Sequence, residues 1–163
     1  MSEIFEEERS IDTLQGRYLT FTLGEDIYGI AIKYVVEIIG IQSITAVPKV
    51  PHYIMGVINL RGKIIPVIDV RMKFGKEPIE YNDRTCIIVI EIGDVSLGLI
   101  VDRVDEVLTA EDEDIAAPPA NRSGFDNRYI MGIVRIGTKK QLLLDCEKLV
   151  KGDMPGLESI EEI

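Results

Sequence analysis

The chain has 163 residues, 46% of them apolar, no tryptophan and a formal charge of −10. That size suits one domain, or two small ones sharing a core. Two cysteines without a second pair exclude a zinc cluster, no apolar run is long enough to span a membrane, and the first residues lack the basic start and apolar centre of a signal peptide, so the chain reads as soluble and cytoplasmic.

Residues 1–16 are acidic and read as a flexible N-terminus. Residues 18–23 then alternate, with Leu19, Phe21 and Leu23 on one face of a strand. Gly24-Glu25-Asp26 is a turn, residues 27–32 are the return strand, and a further β-rich segment runs through Val35, Val36, Ile38 and Ile39. Pro48 and Pro51 bracket a connector. Val57-Ile58 and residues 64–68 form a hairpin about the turn from Leu60 to Lys63. Asp69 precedes a short stretch closed by Gly75, which is the signature of a capped helix of one or two turns. Residues 85–92 are a nearly continuous apolar strand, Gly93-Asp94 a turn and residues 95–101 its return. Residues 110–128, rich in acid, proline, asparagine and glycine, form a loop. Asp145 precedes a second short helix closed by Lys151-Gly152. Residues 151–163 are an acidic tail, with a short helical turn expected over Ser159-Ile160-Glu161-Glu162.

The order of elements repeats. Tyr53-Ile54-Met55-Gly56-Val57-Ile58 returns as Tyr129-Ile130-Met131-Gly132-Ile133-Val134, and both copies run on to an aspartate at the same distance, Asp69 and Asp145, an offset of 76 residues. Earlier in each copy the offset is 69, pairing Gly24 with Gly93, Gly29 with Gly98, Glu37 with Glu106 and Ile38 with Val107. The second copy therefore carries seven extra residues near its loop. A self-match of this kind means one unit built twice. The reading is all-β: two copies of about five short strands sharing one hydrophobic core, as barrels or a sandwich. The units are about 17–80 and 81–150 by the repeat, with exchange of strands between them left open. Gly29 and Gly98, inside strand patterns, are expected at bulges or barrel corners. Only the first copy carries Asn59-Leu60-Arg61-Gly62 at its turn; the second has Arg135-Ile136-Gly137-Thr138.

Charge is uneven. The two termini and the 110–128 loop together carry −9 of the net charge of −10. Between residues 49 and 76, Lys49, Arg61, Lys63, Arg71, Lys73 and Lys76 face only Asp69, giving a charged turn that could meet an acidic protein partner. Nucleic acid fits poorly, because the whole chain repels phosphates and the patch lacks interleaved aromatics.

The catalytic inventory is nearly empty. Asp69 and Asp145 could be paired as in aspartic proteases, but they lack the Asp-Thr/Ser-Gly context, and helix capping accounts for both. His52 is the only histidine and has no nearby nucleophile motif. Glu111-Asp112-Glu113-Asp114 lacks the spacing and glycine of a calcium loop. Cys86 and Cys146 read as small buried hydrophobes. No metal or other cofactor is expected, and the chain reads as an interaction module rather than an enzyme.

Phe21-Thr22-Leu23-Gly24, Tyr28-Gly29-Ile30, Val36-Glu37-Ile38, the run Gly56-Val57-Ile58-Asn59-Leu60-Arg61-Gly62, Pro66-Val67-Ile68-Asp69 and Val101-Asp102 resemble the bacterial chemotaxis coupling family CheW over about residues 17–150. The regulatory domain of the chemotaxis histidine kinase CheA shares the pattern, but Met1 and the acidic tail favour a free-standing protein. The resemblance implies two SH3-like five-stranded β-barrels on a common core, and a non-catalytic adaptor joining the cytoplasmic tips of chemoreceptors to CheA. It implies cytoplasmic protein recruited to membrane-bound receptor arrays, without membrane insertion or nucleic acid. The receptor-facing surface carries over to Val35, Glu37, Ile38, Gly56, Val57, Leu60 and Arg61. The kinase-facing surface, in the first barrel, carries over to Ile39, Gly40, Ile41, Ser43, Ile44 and Thr45. If Ile38 is buried, the alternation of a strand leaves Ile39 exposed. Glu37 and Arg61 are expected to meet at the edge of the receptor groove.

Overall fold

In the computed structural model, which describes residues 15–118 and 128–151, eleven strands, two short α-helices and two single 3₁₀ turns follow one another. The strands are β1 (Arg17–Leu23), β2 (Asp26–Ala31), β3 (Val35–Gly40), β4 (Ile54–Leu60), β5 (Lys63–Asp69), β6 (Cys86–Ile92), β7 (Val95–Val101), β8 (Arg103–Thr109), β9 (Ile115–Ala116), β10 (Ile130–Ile136) and β11 (Lys139–Leu144). Helix α1 (Val70–Lys73) follows β5 and α2 (Cys146–Lys151) follows β11. The chain is all-β, as two SH3-like barrels. One is a six-stranded sheet in the order β8-β1-β2-β11-β10-β9, the sixth strand being the two-residue β9; the other is five-stranded, β3-β6-β7-β5-β4. The helical turn expected over residues 159–162 lies outside the described residues.

The sheets cut across the sequence repeat. β3, β4 and β5 of the first copy close with β6 and β7 of the second, and β1 and β2 close with β8 to β11. Each sheet is joined by one parallel pair, β2 with β11 and β5 with β7; its other pairings are antiparallel.

Period-two alternation decides where the side chains go. On β6, Ile88, Ile90 and Ile92 enter the core shared by both sheets, while Ile87 and Val89 fill the five-stranded barrel. On β1, Leu19, Phe21 and Leu23 enter the shared core, and Tyr18 points into the six-stranded barrel. A strand buried on both faces reads as a continuous apolar run, which is why 85–92 looked so hydrophobic.

Gly29 and Gly98 are not at bulges. Both lie in regular register on the parallel pairs, opposite Leu143 and Val67. A Cβ at Gly98 would come within 2.5 Å of Val67 Cγ1, so this glycine makes room for an interior side chain. The register shifts fall instead at Leu19/Phe21, Val35/Glu37, Ile54/Gly56 and Ile130/Gly132.

The two aspartates cap their helices. Asp69 accepts the Met72 N–H at 3.2 Å and Asp145 accepts the Lys148 N–H at 3.1 Å. Asp69 also accepts the Tyr81 hydroxyl at 2.8 Å, and burial together with that bond pushes the Tyr81 pKa up. The cleft that holds Asp145 does not reach Asp69, so the geometry of a shared-proton dyad is not met.

Most of the expected electropositive face is neutralised within the fold. Arg71 clamps Asp102 with two bonds of 2.7 and 2.8 Å, Lys76 meets Asp26, Arg61 meets Glu37 and Lys63 lies 4.0 Å from Glu91, while Lys73 keeps its charge over the rings of Tyr53 and Tyr129. The Asp102 carboxylate also accepts the Gly24 N–H, so it ties α1 and the β7–β8 corner to the β1–β2 turn. Burial opposes ionisation of Asp102, but Arg71 and the Gly24 N–H outweigh it and hold its pKa below the ordinary value. A carboxyl depressed on folding stabilises the fold above its unfolded pKa and stops doing so as pH falls through the folded value. Arg71→Ala is expected to cost about 2 kcal/mol at neutral pH. In urea titrations the deficit should shrink below about pH 4 as Asp102 protonates in the parent protein.

Candidate functional site

The β4–β5 hairpin is joined by a two-residue turn, with Leu60 paired to Lys63. A type I′ turn suits the right-handed twist of the strands and places both central residues at positive φ. Arg61 has φ 53° and Gly62 φ 85°. Glycine accepts that conformation readily, but arginine does not. The Asn59 side-chain oxygen takes the Gly62 N–H at 2.9 Å and pins the turn from below. At the equivalent turn of the second repeat, Gly137 has φ 62° in the place of Arg61. The second repeat thus puts a glycine at this left-handed position, with Gly137 its one central residue at positive φ, and the first keeps an arginine there.

The strained backbone aims a guanidinium at Glu37. Arg61 Nη1 and Nη2 donate to the two Glu37 carboxylate oxygens at 2.7 and 2.6 Å, a bidentate pair. The bond from Arg61 and its positive charge outweigh desolvation and hold the Glu37 pKa below the ordinary value. β3 and β4 are the two edges of the five-stranded sheet, so the pair brings its open edges together. A second link lies at the other end of that gap, where Thr45 and Val57 exchange both backbone hydrogen bonds at 2.9 Å.

The expected receptor-facing residues divide by burial. Arg61 and Ile38 are exposed, Glu37, Val57 and Leu60 are half-buried, and Val35 and Gly56 are buried. Val35 belongs to the shared core, so it supports the surface from behind. The bulge at Val35/Glu37 leaves Val36 and Ile38 facing solvent, at 38% and 43% exposure. The strand alternates in the opposite sense to the one expected, with Ile38 outside and Ile39 inside. Ile39, Ile41 and Ile44 lean on the core of the five-stranded barrel, while Gly40, Ser43 and Thr45 are exposed beside them. This stretch sits on the sheet formed with β6 and β7. Val36 was missed by sequence reasoning because a bulge breaks the alternation that would have revealed it.

Gly56 is where the connector after β3 comes closest to β4. Its φ is 143°, and a Cβ there would lie 2.1 Å from the Thr45 carbonyl oxygen. Cys146 is buried, and burial pushes its thiol up to about 12; Cys86 is only half-buried, so the expectation of two buried thiols holds for one. Among the described residues no group of three or more histidine, cysteine, aspartate or glutamate side chains is placed to hold a metal, and no helix is long and apolar enough to cross a membrane.

Two barrels on one core, with an ion pair clasping the open edges of a sheet beside exposed aliphatic side chains, define a β-barrel interaction domain. The CheW-like domain family matches residues 17–154. The chemotaxis protein CheW of Klebsiella aerogenes is 37% identical over 142 residues, covering 87% of this chain and 86% of its own. That of Treponema pallidum is 35% identical, covering 86% and 85%. The crystal structure of the scaffolding protein TtCheW from Thermoanaerobacter tengcongensis superposes with a TM-score of 0.77 at 36% identity, covering 85% of this chain and 94% of that one. The chain belongs to the CheW-like family of chemotaxis scaffold domains.

Proposed function

We propose that this protein is a non-catalytic adaptor that couples methyl-accepting chemoreceptors to the histidine kinase CheA and so controls kinase activity in signalling arrays. The observation that carries this reading is the Glu37–Arg61 clasp, built on a turn that would be relaxed with glycine. A strained residue whose neighbouring repeat does without it marks a function at the surface rather than a need of the fold. The proposed receptor face is Ile38, Val57, Leu60 and Arg61 with Glu37 at its rim, supported from beneath by Val35 and Gly56. Its aliphatic centre and polar edge suit the tip of an antiparallel helical hairpin. The kinase regulatory domain is assigned to Ile39, Gly40, Ile41, Ser43, Ile44 and Thr45, of which Gly40, Ser43 and Thr45 present the exposed part. On this reading the protein works in the cytoplasm and is recruited to receptor arrays at the membrane.

The test is co-sedimentation with a receptor signalling-tip fragment and the kinase. The parent chain is expected to bring kinase into the pellet only when receptor fragment is present. Ile38→Asp, which places a charge on an exposed strand position, and Arg61→Ala should each deplete the pellet of kinase while leaving the melting temperature within about a degree of the parent. Equal pelleting by all three proteins would overturn the assignment.

A further inference from the structure

The repeat sets the same frame of side chains at the turn end of each barrel, and only the first barrel supplies their partners. There Arg61 holds both oxygens of Glu37, Lys63 donates to Ser96 at 2.8 Å and lies 4.0 Å from Glu91, and Ile65 is buried in the interior cluster. By the offsets of 69 and 76, Glu37 and Lys63 return in the second barrel as Glu106 and Lys139. Their partners do not return. Gly137 stands for Arg61, Ile27 for Ser96 and Thr22 for Glu91, while Gln141 replaces the interior Ile65. Among the described residues neither Glu106 nor Lys139 enters an ion pair.

These unmatched groups line one cleft of about 460 Å³, a size in the range of small-molecule sites. Gln141 Oε1 is buried there with no hydrogen-bond partner, and an unmet buried acceptor destabilises the empty site. Thr20, also buried, brackets the backbone of Glu106. Its hydroxyl donates to the Glu106 carbonyl at 2.6 Å and accepts the Glu106 N–H at 3.1 Å. Ile27 and Ile136 add apolar surface. Arg103 and Asp105 line the cleft too, but they pair with each other at 3.0 Å. In both barrels a short pairing closes the far end of the seam, Thr45 with Val57 and Ala116 with Ile133. The clasp at the near end belongs to the first barrel alone.

The first barrel shows what a carboxylate at this position takes, which is a guanidinium held by two parallel bonds. We infer that the cleft of the second barrel binds a small guanidinium compound that also carries a carboxylate, free arginine being the simplest. Its guanidinium sits on Glu106, in the place that Arg61 fills in the other repeat, and its carboxylate meets Lys139. A guanidinium bonded to a carboxylate keeps further N–H groups, which match the unmet acceptor of Gln141. The methylene stem of such a ligand lies along Ile27 and Ile136. The acidity of the whole chain, −10, favours approach of a cationic ligand over an anionic one.

The test is an NMR titration of the isotope-labelled whole chain with L-arginine. The amide resonances of Thr20, Glu106, Lys139 and Gln141, including the Gln141 side chain, are expected to shift saturably. L-citrulline, with a urea in place of the guanidinium, and agmatine, without the carboxylate, should each bind about tenfold more weakly. Glu106→Gln should lower the affinity for L-arginine by a similar factor and leave thermal unfolding unchanged. Gln141→Ile, which copies Ile65, should weaken binding while raising the melting temperature. Gly137→Arg rebuilds the clasp of the first barrel on a compatible backbone, since Gly137 has φ 62° and Arg61 φ 53°. It should abolish the shifts by filling the site from within. Equal affinity for L-arginine and L-citrulline would overturn the inference. So would shifts that survive Gly137→Arg, or a titration in which these resonances do not move.

Discussion

Replacing Arg61 by glycine is expected to weaken binding of a receptor-tip fragment by roughly tenfold or more while leaving the fold at least as stable as before. The two effects have separate origins. The turn needs positive φ at position 61, and the second repeat already meets that need with Gly137. Glycine there removes strain. It also removes the guanidinium that holds both oxygens of Glu37. Loss of affinity without loss of stability is the pattern of a surface residue kept for its partner. Titration calorimetry against the fragment and thermal unfolding of the same preparation check both halves. A variant that unfolds more easily and binds as tightly as the parent would assign Arg61 to the fold alone. Glu37→Gln keeps the side-chain shape but gives up the charge, and it should reproduce part of the binding loss.

Gly56→Ala is expected to be highly disruptive, at about 3 kcal/mol of stability. A Cβ there would sit 2.1 Å from the Thr45 carbonyl oxygen and 3.0 Å from the Ala46 Cα, and both obstacles are backbone. The connector must lift, which breaks the paired hydrogen bonds between Thr45 and Val57. The equivalent Gly132 provides an internal comparison. There the nearest obstacle is the Ile115 Cγ2 at 2.3 Å, a side chain on the two-residue strand β9, and the nearest backbone atom, the Ala116 carbonyl oxygen, is at 3.2 Å. Gly132→Ala should therefore cost less, about 1 kcal/mol. Urea unfolding of the two variants side by side measures the difference, and equal losses would show that the connector yields as easily as a side chain.

Much of this molecule was legible in its sequence because two signals are strong. Alternation in residues 18–23 and the unbroken apolar run of 85–92 reported strands with one face on a shared core and the other in a barrel. The aspartate-to-glycine spacing reported both helices, and both aspartates cap as expected. What stayed hidden depends on contacts between distant segments. Gly29 and Gly98 suggest bulges or barrel corners from sequence because a glycine in a strand carries no sign of what approaches it; here the approaching groups are Leu143 and Val67, from strands of the other repeat. The basic run from Lys49 to Lys76 looked like an open charged face because its partners Asp102, Asp26 and Glu37 lie elsewhere in the chain. In the candidate site the composition was legible and the facing was not. A one-residue bulge at Val35/Glu37 turned Ile38 outward and Ile39 inward, and single-residue slips of that kind leave no trace in periodicity.

The crossing of the repeat boundary by both sheets bears on how the protein withstands damage. A single cut in the connector between α1 and β6 yields two pieces, and neither owns a complete sheet. The first piece keeps β1 and β2 in one barrel and β3 to β5 in the other, and the second supplies the remaining strands of both. The severed halves stay interlocked, like two hands with the fingers laced, because parting them means opening both barrels and the common core at once. A chain nicked at that connector is expected to run as one species in gel filtration, because the weave of its strands holds the two pieces together.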